Sequence, residues 1–111
     1  MSNLSFSIRF FLNERVPRAD GKFPVCVRVR IQRKKCECNL FMDVEKVKFD
    51  EERERINATT KHDKYVNNRL NSLENKISEI YYELEHARKP ISAKIVMGIF
   101  KGTVSTDEVS L

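Results

Sequence analysis

Residues 4–12, LSFSIRFFL, place Leu4, Phe6, Ile8, Phe10 and Leu12 on one parity against Ser5, Ser7, Arg9 and Phe11. A period of two predicts a half-buried strand. The stretch FPVCVRVRIQRKKCECNLFM, residues 23–42, repeats the pattern more strictly. Val25, Val27, Val29 and Ile31 alternate with Arg28, Arg30 and Gln32, and Cys36, Cys38, Leu40 and Met42 share the next apolar parity. This predicts strands over 23–32 and 35–42 with Arg33-Lys34 as a two-residue turn. That turn sets Ile31 against Cys36, Val29 against Cys38, Val27 against Leu40, Arg30 against Glu37 and Arg28 against Asn39, which pairs apolar with apolar on one face and opposite charges, Arg30 and Glu37, on the other. NERVPRADGK, residues 13–22, carries Pro17 and Asp20-Gly21 and predicts a mobile basic loop.

The period then changes. Residues 43–62 are polar and weakly patterned, with Phe49 expected to tuck under the sheet. Val66, Leu70, Leu73, Ile77, Ile80 and Leu84 recur at steps of four and three. They predict an amphipathic helix over about 63–88, capped by Asp63 and stopped before Pro90. Ser92 is an N-cap candidate for a short helix over 92–101, with Ile91 stapling onto Val96 and Gly102 as its stop. The expected class is α+β: a three-stranded antiparallel sheet over 4–42 packed against a long C-terminal helix, plus a short second helix. Residues 1–102 form one domain, and 103–111 read as a linker or the cut end of a longer protein.

Charge sharpens this picture. The chain of 111 residues carries +5 overall. Residues 1–42 hold nine Lys and Arg against three acids, while 43–111 hold twelve against thirteen. The basicity sits with the strands, which points to a polyanionic partner for that part. The wet face of the sheet would present Ser7, Arg9, Phe11, Arg28, Arg30, Lys35, Glu37 and Asn39. Arg and Asn make bidentate contacts to guanine and adenine in the major groove. Arg33 and Lys34 at the hairpin tip, with Arg15, Arg18 and Lys22 in the first loop, suit phosphate contacts that set position. Binding of double-stranded DNA is therefore one reading of this face, an ordinary solvated sheet face the other. Single-stranded RNA is disfavoured, because Phe11 is the clearest stacking candidate on that face and Phe41 a weaker second. The competing reading is a protein-interaction module, in which the Val66–Leu84 seam is a dimer interface and the basic face merely a solvated one.

Catalytic and metal chemistry find little support. There is no nucleophile–base pair and no phosphate-cradling glycine loop, the three glycines being Gly21, Gly98 and Gly102. No zinc-type spacing occurs, so no metal site, catalytic residue or cofactor is expected. Cys26, Cys36 and Cys38 read as reduced thiols, and His62 and His86 as surface residues. No apolar run is long enough to span a membrane and no signal peptide is recognisable, so a cytoplasmic location is expected.

The order of elements resembles the N-terminal arm-DNA-binding domain of tyrosine recombinases, the integrases of conjugative transposons and related mobile elements. The resemblance is carried by IRFFLNERVPRADGKFPVCVRVRI, then KKCECNLFMDVEKVKFD, then the helix containing SEIYYEL, then KPISAKIV. Asp20, Gly21, Lys22, Pro24, Arg28, Lys35, Glu37 and Asp50 stand at matching places. Phe49 stands where such domains usually have Trp, Asn39-Leu40-Phe41 where they often have Ser-Thr-Gly, and Arg33-Lys34 where they have a Gly-containing turn. The resemblance implies a sheet lying in the major groove of arm-type sites, serving DNA integration and excision. It also implies partnership with other recombinase subunits through the full-length protein. The catalytic arginines, histidine and tyrosine would belong to a later domain.

Overall fold

The computed structural model describes residues 5–102. The predicted alternation becomes three antiparallel strands, β1 (Phe6–Leu12), β2 (Lys22–Ile31) and β3 (Lys34–Glu45), in the order β1-β2-β3. A small hairpin follows, β4 (Phe49–Asp50) with β5 (Arg55–Ile56), and then α1 (Lys61–His86) and α2 (Ala93–Lys101). The α+β architecture expected from the sequence is the one observed. Leu4 and the expected tail, 103–111, lie outside the described residues.

Parity and register part company in the β2–β3 hairpin. The turn is Gln32-Arg33, one residue earlier than expected, with a positive φ of 60° at Gln32. Ile31 therefore pairs with Lys34, Arg30 with Lys35, Val29 with Cys36, Arg28 with Glu37, Val27 with Cys38 and Cys26 with Asn39. The expected pairs Arg30–Glu37 and Arg28–Asn39 are thus replaced. Moving the turn by one residue slides the partner strand by two, which leaves every side chain on its expected face. Towards the other end a bulge interrupts the ladder between Pro24 and Cys26. Phe41, at φ 60°, occupies it and points out, 88% exposed. Beyond the bulge β3 continues to Glu45, three residues past the expected end.

The loop between β1 and β2 is tied down more than its composition suggests. Asn13 N–H donates to the Pro24 carbonyl at 2.9 Å and Arg18 N–H to the Lys22 carbonyl at 2.8 Å. The Asn13 side chain also accepts from Arg15 N–H at 3.1 Å, an Asx turn. Asp20 and Gly21 both take positive φ in the single 3-10 turn that closes the loop.

The helical seam faces inward. Val66, Leu70, Ile77, Ile80 and Leu84 are buried against Val25, Val27, Val29 and Ile31 of β2, Val44 of β3 and Val96 of α2, with Leu73 half-buried beside them. Tyr81 joins this core, its ring stacked on Phe6 at 4.0 Å. Five of the six seam residues thus close the domain's own core, which counts against the seam as a dimer interface. Phe49 packs against the same core, as expected.

Helix boundaries follow local chemistry. The N-cap of α1 is Thr60, three residues before the expected Asp63. Thr60 Oγ1 accepts from Asp63 N–H at 3.1 Å and the Asp63 carboxylate accepts from Thr60 N–H at 3.3 Å, a capping box. The same carboxylate accepts from Thr59 N–H and Lys48 Nζ. The helix ends in a Schellman pattern, with Arg88 N–H bonded to Glu85 and Lys89 N–H to Leu84 and Arg88 at φ 56°. Ser92 caps α2 as expected, accepting from Ile95 N–H at 3.1 Å, and Gly102 ends it at φ 80°.

The backbone N–H of Thr59 chiefly, and then Lys48, hold the Asp63 carboxyl well below the usual carboxylate range. A pKa depressed on folding stabilises above the unfolded value of roughly 3.9, and that contribution disappears as pH falls through the folded value. Asp63→Asn is therefore expected to lower the urea midpoint at neutral pH. The gap from wild type should close as pH drops below about 4. Denaturation series at neutral and acid pH check this, and a gap that widens in acid would contradict the assignment.

Candidate nucleic-acid interface

The strand register sets the odd residues of β1, the even residues of β2 and the odd residues of β3 on the open face in three rows. Ser7, Arg30 and Lys35 form the first, Arg9, Arg28 and Glu37 the second, and Phe11, Cys26 and Asn39 the third. All eight residues that the sequence assigns to this face are brought together there.

The middle row is the most ordered. Arg28 Nε donates to Glu37 Oε2 at 2.6 Å, and the Arg28 guanidinium lies 4.7 Å from the Phe11 ring centre. A face-on aromatic and an in-plane carboxylate together hold a guanidinium in one plane. Lys35 Nζ is 3.8 Å from the same Glu37 oxygen. The hydrogen bond from Arg28, with the charges of Arg28, Lys35 and Arg15, holds the Glu37 carboxyl below its ordinary pKa, so it is ionised at neutral pH. Arg30 differs: it is exposed and has no ion pair among the described residues.

The third row lies deeper. Cys26 stands on the open-face parity yet is 6% exposed. Burial chiefly, then the Glu37 charge, pushes its thiol pKa up, so it stays protonated. All three cysteines are free thiols, Cys36 and Cys38 half-buried on the opposite face. Asn39 is oriented by the bulge: its Oδ1 accepts from Phe41 N–H at 2.7 Å.

The loop contributes unevenly. Arg15 lines a hollow with Phe11, Arg28, Glu37 and Asn39 and so joins the open face. Arg33 stands at the hairpin tip as expected. Lys34 adjoins it but takes the parity of Cys36, opposite to Lys35. Arg18 reaches Asp43, 3.6 Å away. Lys22 pairs with Glu45 and lines a separate cleft with Lys48, Thr60 and Asp63. Arg18 and Lys22 therefore stand apart from the three rows.

One residue that shapes this face escapes sequence reasoning. Glu54, in the turn of the β4–β5 hairpin, accepts from Phe10 N–H through Oε1 at 2.7 Å and forms an ion pair through Oε2 with Arg9 Nε at 2.6 Å. It covers the free edge of β1 and aims Arg9. The hairpin that carries it is clamped to α1. Ile56 N–H donates to Asn67 Oδ1 at 2.8 Å, and Asn67 Nδ2 donates back to the Ile56 carbonyl at 2.9 Å. Arg55 bridges to Glu74 at 2.6 Å and Asn71 at 3.0 Å. Two-residue strands have no periodicity to detect, and the bond to Phe10 spans 44 positions, so no local signal marks Glu54. Glu54→Ala is expected to speed hydrogen exchange at the Phe10 amide by about tenfold or more, a lost partner being worth roughly 1–3 kcal/mol. Amide-resolved exchange checks it, and unchanged protection would show that Glu54 does not close the edge.

What the sheet offers is a basic surface three strands wide. No curated protein and no solved structure matches the chain. A family model described as "Arm DNA-binding domain" does match, over residues 10–97. That range begins within β1, after Ser7 and Arg9, takes in the open-face residues of β2 and β3, the clamping hairpin and α1, and ends inside α2. Matched over most of its length by that model, the chain belongs to the arm DNA-binding domain family.

Proposed function

We propose that this domain binds double-stranded DNA of defined sequence by laying its three-stranded sheet in the major groove. It does so at arm-type accessory sites, as the N-terminal part of a tyrosine recombinase that integrates and excises a mobile element. Recombinase chemistry and contacts between subunits belong, on this reading, to the rest of that protein. The observation that carries the proposal is the open face itself, where Arg9, Arg28, Arg30 and Lys35 stand in register on adjacent strands. Strands about 4.8 Å apart make a three-stranded backbone roughly 10 Å across, which suits a major groove about 12 Å wide. Family membership supports DNA as the partner.

Fluorescence anisotropy tests the proposal, using duplexes from the ends of the parent element against scrambled duplex across a salt series. Tight binding to the cognate duplex is expected, with log K falling against log salt at about −0.9 per neutralised phosphate. Arg15, Arg30, Arg33 and Lys35 as phosphate contacts give a slope of roughly −3 to −4. Absence of duplex binding at low salt would overturn the proposal.

A further inference from the structure

The basic residues of the three rows, Arg9, Arg28, Arg30 and Lys35, are not equivalent, and their surroundings divide the work among them. Resting on the DNA-binding reading above, we propose that Arg28 is the guanine reader of the interface, positioned by Glu37 and Phe11, and that Arg30 is a phosphate contact.

The argument starts from what each guanidinium has left to offer. Arg28 spends its Nε proton on Glu37 and lays its plane over Phe11. Neither of its Nη groups makes a hydrogen bond among the described residues. The free Nη pair is a planar, two-pronged donor, the complement of the O6 and N7 acceptors on the major-groove edge of guanine. Arginine bound end-on is also less costly to order when its plane is already held. Arg30 has neither buttress: it is exposed and pairs across the ladder with Lys35 and Ser7. An exposed cation beside another cation suits diffuse phosphate charge better than one base edge.

Asn39 agrees with this choice of base. An adenine contact by Asn uses its carbonyl oxygen as acceptor and its amide as donor. Asn39 Oδ1 is already engaged by Phe41 N–H at 2.7 Å, so the side chain presents chiefly donors. Arg28 and Asn39 stand one row apart on adjacent strands, and both offer donors towards an acceptor-rich edge.

Glu37 gives the test its leverage, because it is a negative charge on a surface meant for a polyanion. As a positioning residue it should reduce general affinity while raising discrimination. A purely electrostatic residue would move both the same way. The experiment selects binders from a pool of duplexes about two helical turns long with a randomised centre. Affinities for the selected duplex, for the same duplex with 7-deazaguanine at each guanine, and for random duplex follow. Wild type, Glu37→Ala, Arg28→Lys and Arg30→Ala are compared, with circular dichroism confirming the fold of each.

Wild type should select a guanine whose deaza replacement weakens binding by about tenfold to a hundredfold. Glu37→Ala should bind random duplex more tightly but lose most of that guanine discrimination. Arg28→Lys should lose the discrimination, because a point-charge ammonium replaces the planar fork. Arg30→Ala should weaken all duplexes alike, lower the salt slope by about 1 and keep the discrimination. Discrimination that survives Arg28→Lys and Glu37→Ala, or that vanishes in Arg30→Ala, would overturn the assignment while leaving DNA binding intact. Failure of wild type to bind any duplex at low salt would overturn the DNA-binding reading, and this inference with it.

Discussion

An Arg28→Ala, Arg30→Ala double variant is expected to lose about a hundredfold or more in affinity for its cognate duplex. A good bidentate base contact is worth roughly 1–3 kcal/mol, and every 1.4 kcal/mol is about tenfold. Removing Arg28 does more than delete a donor. It strips Glu37 of its 2.6 Å partner and leaves that carboxylate facing phosphate with only the longer contact to Lys35. Removing Arg30 takes away an exposed cation, so the salt dependence should become shallower by about one phosphate. The two residues are neighbours on one strand face, so their effects need not add. The fold should survive, because both side chains project from the open face while the core is built from Val25, Val27, Val29 and Ile31 on the other. Anisotropy titrations paired with far-ultraviolet circular dichroism check both halves. An unchanged affinity in a folded double variant would move the interface off this face altogether.

Leu70→Ala is expected to be the most damaging single substitution for stability. Leu70 is completely buried in the middle of α1, among the residues that join the helix to the sheet. Truncating a buried leucine costs roughly 2–5 kcal/mol, the spread reflecting how far the cavity collapses. Domains of this size are stable by about 5–15 kcal/mol, so one change removes a large share. A shift of about 4–8 °C in Tm per kcal/mol makes the loss plain in a thermal melt. Leu73→Ala, on the same seam but half-buried, should lose clearly less. Equal effects would mean that α1 packs through a different face. The same pair discriminates against a seam-mediated dimer, in which Leu73 would be as buried as Leu70 and Tm would rise with concentration.

Much of this molecule is legible in its sequence because burial imposes a period. In β1 and β2 a strict alternation separates Phe6, Ile8 and Phe10 from Ser7 and Arg9, and Val25 to Ile31 from Arg28 and Arg30. In α1 the three-and-four spacing from Val66 to Leu84 marks the buried stripe, and Ser92 and Gly102 mark the ends of α2 by their capping chemistry. Where local chemistry offers competing partners the sequence is less decisive. Thr60 and Asp63 both suit a cap, and they form one reciprocal box in which Thr60 is the cap.

The sequence by itself determined the faces: which residues turn to the core, which to the open side, and that the open side is basic. Only the tertiary structure decided who stands beside whom. A slip of two residues preserves parity, so alternation cannot distinguish the Arg28–Asn39 pairing from the observed Arg28–Glu37 pairing. The position of the Gln32-Arg33 turn and the packing of the whole sheet on α1 make that choice. Glu54 depends on tertiary structure in the same way. A two-residue strand carries no period, and the carboxylate reaches Phe10 and Arg9 only because Asn67 and Arg55 clamp its hairpin to α1. Periodicity reports burial, which each residue experiences on its own. Register and edge-capping are relations between distant residues, and only the assembled fold supplies both partners.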